Sequence, residues 1–152
     1  MNKPKLLWIA DAVIHSGFAR VTHNILDRLK DRWDIFVIGC NYHGDPHPYE
    51  YNIYPASFGS DMWGTGRFEK LVNYIKPNVI CILNDPWVVS KFVDLDRKNI
   101  PLAAYMPVDA MNIPPINIVP LNMLNLAIWY TEFGKQVATD CGYTGPSEIV
   151  SH

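Results

Sequence analysis

Short runs of almost wholly apolar residues alternate along the chain with stretches of helical period, and this alternation leaves room for one fold class. Residues 5–10, Asp34–Cys40 (through Ile35, Phe36, Val37 and Ile38), Val79–Leu83, Leu102–Met106 and residues 126–130 each hold an unbroken apolar run. A strand formed by any of them must therefore be covered on both faces. Between them, Phe18, Val21, Ile25, Leu26 and Leu29 recur at helical spacing, as do Phe68, Leu71, Val72 and Ile75, a helix that Pro77 ends. Residues 87–95 and 133–141 are predicted helices, and residues 51–54 and 148–150 are predicted short strands. Doubly covered strands joined by amphipathic helices predict an α/β protein: a doubly wound, mostly parallel Rossmann-like sheet with helices on both faces. Ligands in that architecture bind at the carboxyl ends of the strands.

The irregular parts are two. Residues 43–60 hold three prolines and two glycines and read as a long excursion, and residues 107–120 are proline-rich. The chain runs out at Ser151-His152, directly after a predicted strand with no helix to cover it. The expectation is that residues 1–152 form one domain of a larger protein.

Composition narrows the functional classes. The chain has 152 residues, 49% hydrophobic and 18% charged, which suits a single buried core and argues against disorder. Thirteen basic against fifteen acidic residues give a net charge of −2. That balance argues against nucleic acid and against an anionic membrane surface as partners. Cys40, Cys81 and Cys141 show no paired spacing of a zinc or redox site and read as reduced, mostly buried thiols. The apolar run at residues 6–10 is far shorter than the roughly 20 residues of a membrane span, so no transmembrane segment is expected and the cytoplasm is the expected compartment.

The candidate site residues follow the predicted strands. Ser16-Gly17 precedes the first helix: Ser16 suits an N-cap, Gly17 permits close backbone approach, and the free amides of a helix start favour a phosphate or carboxylate. An ordinary capped turn accounts for the same residues. Arg20, His23 and Asn24 lie off the apolar face, where Arg20 either meets a phosphate or is simply solvated. The turn lacks G-x-G-x-x-G, Asn41 and Tyr42 stand where an acidic residue would end the second strand, and no P-loop occurs. Dinucleotide and P-loop binding are thereby excluded. Asn84-Asp85 and Val108-Asp109 end two further strands, where a carboxylate can orient a hydroxyl or take its proton. Asp85 also suits a helix cap, as does Thr131 ahead of Glu132. His43 and His47 flank Asp45, but Pro46 and Pro48 forbid the helix on which that spacing would bind a metal. Gly59, Gly64 and Gly66 around Trp63 read as a flexible loop, with Trp63 either a stacking surface or an anchor.

Residues 6–11 with residues 16–26, residues 127–137, and the ending Ile149-Val150-Ser151-His152 together resemble the amino-terminal domain of GT-B glycosyltransferases, specifically the retaining family 4 group. The resemblance covers nearly the whole chain. It implies an enzyme of two facing Rossmann-like domains, of which this one mainly binds the acceptor. A carboxy-terminal domain, absent here, would bind the nucleotide-sugar and supply paired glutamates, so this chain alone is expected not to turn over. It further implies that Gly17 sits by the donor phosphates and that Phe18 and Arg20 border the acceptor pocket. Thr131 and Glu132 fall in the strand–helix region that carries acceptor-side residues. Asp109 falls near the position where many members carry a His that touches the transferred sugar, and no His is present here. The implied substrates are a UDP- or GDP-sugar donor and a small-molecule or glycan acceptor, with no permanently bound cofactor and no metal. The alternative class is a stand-alone, non-catalytic module that captures a phosphorylated small molecule or a protein partner.

Overall fold

The computed structural model describes residues 2–152. Its strands are β1 (Lys5–Asp11), β2 (Asp34–Cys40), β3 (Asn52–Pro55), β4 (Val79–Leu83), β5 (Leu102–Met106), β6 (Leu126–Trp129) and β7 (Ser147–Ile149). The helices are α1 (Gly17–Leu29), α2 (Thr65–Ile75), α3 (Pro86–Val89), α4 (Pro115–Ile118) and α5 (Glu132–Asp140), with a 3-10 turn at Pro120–Met123. The strand order is β3-β2-β1-β4-β5-β6-β7. Winding runs outward from β1 to β3 and resumes on the other side of β1 with β4, the mark of a doubly wound Rossmann-like α/β sheet. By compactness the chain divides into two units: the residues up to Cys81 with Asp96–Ile100, and Ile82–Leu95 with Pro101–His152.

In the first unit β1 runs parallel to β2, pairing Leu7 with Phe36 and Ile9 with Ile38, and β2 runs parallel to β3. Leu7, Ile9, Val37, Ile38 and Phe68 are fully buried, as strands covered on both faces require. The buried face of α1 is rotated from the predicted stripe. Ala19, Thr22 and Leu26 are buried, whereas Phe18, Val21, Ile25 and Leu29 are half-exposed. The reason is chemical: the buried Trp8 indole N–H needs an acceptor and donates to Thr22 Oγ1 at 3.1 Å, which turns the small, polar side of the helix inward.

The glycine-bearing segment before α2 is pinned rather than flexible. The Asp61 carboxylate accepts from the amides of Trp63, Gly64 and Gly66 at 3.0, 2.9 and 2.8 Å and from the Thr65 hydroxyl at 3.3 Å. Trp63 is half-buried, and its carbonyl accepts from the Cys40 thiol. Gly64, at φ +91°, has the Ile38 side chain 2.6 Å from where a Cβ would stand. Burial alone would raise the Asp61 pKa, but the four donors outweigh it and hold the group below 3.8. Since folding lowers this pKa, the support is complete above 3.8 and fades as pH falls through the folded value. Asp61→Ala is expected to cost about 1–2 kcal/mol at neutral pH and to flatten the acid limb of the stability curve, read by urea unfolding across pH.

In the second unit β5 pairs with β6 and β6 with β7, all parallel. Trp129, Phe92, Leu102, Met106 and Leu121 are fully buried. The helix predicted over residues 87–95 is α only across Pro86–Val89; beyond it the bonds tighten to i→i+3, with Lys91 N–H to Val88 O and Phe92 N–H to Val89 O. The Ser90 hydroxyl competes for a helical carbonyl by donating to Trp87 O. The proline-rich stretch is more ordered than its composition predicts. Pro115 and Pro120 each occupy a first helical position, where a missing N–H costs nothing. Cys40 and Cys81 are buried and Cys141 is half-buried, and burial pushes the Cys81 thiol up to about 12. Among the described residues no helix is long and apolar enough to cross a membrane.

Candidate functional site

Two groups of strand-end residues are each built within one unit. In the first, Asp11 closes β1, is buried, and accepts from Ser16 Oγ at 2.8 Å and from Asn41 Nδ2 at 2.9 Å. Ser16 Oγ in turn accepts from the Ala19 amide at 3.0 Å and so caps α1 as its residue type predicts. Asn41 holds a left-handed φ of 56°, a conformation Asn tolerates better than most side chains. One carboxylate therefore fixes the end of β1, the start of α1 and the end of β2. The Gly17 and Phe18 amides stand in the first turn, where a helix supplies no acceptor.

A hollow of about 430 Å³ opens beside this turn, lined by His15, Ser16, Gly17, Arg20, His23 and Tyr49 among others. A Cβ on Gly17 would meet nothing within 4 Å, so packing does not require glycine there. Open space at that position is what a group approaching the helix start would occupy. His23 Nε2 lies 2.6 Å from the Ala12 carbonyl, so Nε2 carries the proton. Its Nδ1 is buried without a partner among the described residues, and the ring stacks on Tyr49 with centroids 3.7 Å apart. Of the predicted residues, Ser16, Gly17 and Arg20 meet at this hollow. Phe18 does not line it. His15 and Tyr49 were not legible in the sequence, because Tyr49 arrives from the irregular segment.

The second group lies in the other unit. A cavity of about 320 Å³ is lined by Asp85, Trp87, Asp109, Asn112 and Asn117 together with prolines 86, 107 and 114. Asp85 and Asp109, predicted from separate strand ends, thus share one cavity. Burial, reinforced by the Asp109 charge, holds the Asp85 carboxyl above the usual carboxylate range, against a weaker pull from a hydrogen bond to Trp87. Asp85 stands at the N-cap of α3 without making a side-chain cap bond, so capping does not account for it. Asn84 is buried and spends its side-chain oxygen on the Asp85 amide at 2.9 Å. Thr131 and Glu132 are exposed and outside the cavity. Thr131 is an N-cap, accepting from the Gly134 amide at 3.0 Å. Gly134 is what lets α5 approach the Asp109 loop, since a Cβ there would stand 3.2 Å from that of Val108.

Beside it the Tyr105 and Tyr130 rings lie 4.4 Å apart, and the Tyr130 hydroxyl is buried without a partner among the described residues. Burial, then Tyr105 and Asp85, push the Tyr130 pKa above its ordinary value. A third hollow, of about 360 Å³, sits at the amino ends of β1 and β2 between Lys3, Lys30 and Trp33. That is the wrong edge for a ligand in this architecture. Among the described residues no group of three metal-ligating side chains occurs.

The architecture is that of a GT-B-like α/β fold. The chain is similar to a solved structure described as trehalose-6-phosphate from E. coli bound with UDP-2-fluoro glucose, a GT-B glycosyltransferase, at a TM-score of 0.55 and 15% identity. The match covers 95% of this chain and 48% of that one, so the chain spans about half the length of its structural neighbour. No family model and no curated protein matches the sequence.

Proposed function

We propose that this chain is the amino-terminal, acceptor-side domain of a retaining GT-B glycosyltransferase of the family 4 kind, which acts on a UDP- or GDP-sugar and a small-molecule or glycan acceptor. The observation that carries this is the open helix start at Ser16-Gly17, held rigid by Asp11 in a fold similar to that of a protein bound with a UDP-sugar analogue. Amides preset at the start of α1 would stabilise the charge that develops on a departing nucleotide diphosphate without reorganising. Asp109, with Asp85 beside it, is the candidate carboxylate on the acceptor side. Donor sugar chemistry would fall mainly to a carboxy-terminal domain, and the cytoplasm is the compartment proposed.

Transfer and hydrolysis of UDP- and GDP-glucose by the whole gene product test this reading. Gly17→Val is expected to lower kcat/KM at least about tenfold by filling the space at the helix start, and Asp109→Ala to lower transfer more than hydrolysis. Gly17→Ala serves as the folding control, because its Cβ meets nothing within 4 Å. Unchanged kinetics in both of the first two variants would sink the assignment. Nucleotide-sugar binding without any transfer would favour the non-catalytic module.

A further inference from the structure

We infer that the cavity between Asp85 and Asp109 receives a saccharide carrying no phosphate or carboxylate, and that it favours an ammonium at the same position. The inference rests on the glycosyltransferase reading and deepens it by naming the charge class of the acceptor. Its walls combine three kinds of residue: the acids Asp85 and Asp109, the amide-bearing Asn112 and Asn117, and the partly exposed Trp87, with the Asn112 side-chain oxygen also accepting from the Cys141 thiol at 3.4 Å. Carboxylates and amides together accept from and donate to the vicinal hydroxyls of a sugar ring, while an indole covers its C–H face. The volume of about 320 Å³ fits one or two pyranose rings rather than a longer glycan.

Charge supplies the selectivity. No Lys, Arg or His lines the cavity. Among the described residues the ion pairs involve other acids, namely Asp27, Glu50 and Asp96. The Lys91 ammonium sits over the Trp87 ring at 5.7 Å from its centroid, but Lys91 does not line the cavity. An anion placed here would face two like charges with no donor cation to offset them. An ammonium would sit between two carboxylates; burial first, and the Asp109 charge second, already hold Asp85 above the usual carboxylate range. The hollow at Gly17, lined by His15, Arg20 and His23, has the opposite character and is where a phosphate belongs.

Three ligands that differ only at carbon six read this directly: glucose, 6-amino-6-deoxyglucose and glucose 6-phosphate. Each is titrated into the chain at neutral pH while the Trp87 indole N–H is followed by NMR. The expected order is amino sugar, then glucose, then phosphate, with at least about tenfold between the extremes, a spread of about 1.4 kcal/mol. Asp109→Asn is expected to collapse that spread while leaving the indole signal dispersed, which keeps a folding defect distinguishable. Equal affinities, a preference for the phosphate, or no saccharide binding at all would overturn the inference. Nucleotide-sugar kinetics that still respond to Gly17→Val would then leave the wider functional reading standing. Saccharide binding in the expected order with a Gly17→Val enzyme of full activity would do the reverse.

Discussion

Trp129→Ala is expected to lower the unfolding free energy by about 3–5 kcal/mol, the largest loss any single truncation in this chain should produce. Trp129 is the largest fully buried side chain and ends β6, where it pairs with Met106 on one side and Ile149 on the other. Its ring meets Tyr143 edge-on with centroids 5.5 Å apart. The cavity left behind would loosen the strand that immediately precedes Tyr130 and the N-cap Thr131. Trp129→Phe separates packing from hydrogen bonding. The indole N–H has no partner among the described residues, so the smaller ring gives up contact area and no bond. It should cost about 1–2 kcal/mol, and urea unfolding with an unchanged m-value is the measurement. A Phe variant as unstable as the Ala variant would refute this account of the site.

Asp11→Ala is expected to cost about 2–4 kcal/mol and to disturb the helix start together with the fold. Removing the carboxylate leaves the Ser16 hydroxyl and the Asn41 amide without their shared acceptor in a site that is 6% exposed. Ser16 can still cap Ala19, so α1 should persist while its first turn loses its fixed position against β1. Asp11→Asn keeps the shape and one acceptor oxygen, and about half of the loss should return. Denaturation midpoints read the first effect, and the amide shifts of Gly17 and Phe18 read the second. If Asp11→Ala lowers stability without moving those amides, Asp11 is a core support and not the group that sets the helix start.

Much of the framework was legible from apolar periodicity. The bounds of β2, β4 and β5 fall where the runs Asp34–Cys40, Val79–Leu83 and Leu102–Met106 begin and end, because a strand covered on both faces has no polar position inside it. Ser16 and Thr131 were legible as caps for the reason that caps are chemical: a side-chain oxygen three residues ahead of an amide needs no tertiary help. The failures share a cause. The buried face of α1 depended on Trp8, a long-range partner for Thr22 that no local period can report. The segment around Asp61 looked loose because glycine count registers backbone freedom and is blind to one carboxylate collecting four donors.

The same division holds for the functional residues. Sequence alone put Gly17, Asp85 and Asp109 at the carboxyl ends of strands, since alternation of strand and helix sets which end each loop leaves from. It also removed the dinucleotide and P-loop alternatives, which need glycines this turn does not have. Only the tertiary structure decided which of these residues share a hollow. Asp85 and Asp109 lie 24 positions apart and meet because their strand ends open on one cavity, whereas Thr131 and Glu132, equally well placed by pattern, do not line it. Periodicity is a property of neighbours along the chain. The convergence of charges in a cavity depends on strand order and register, which long-range packing sets.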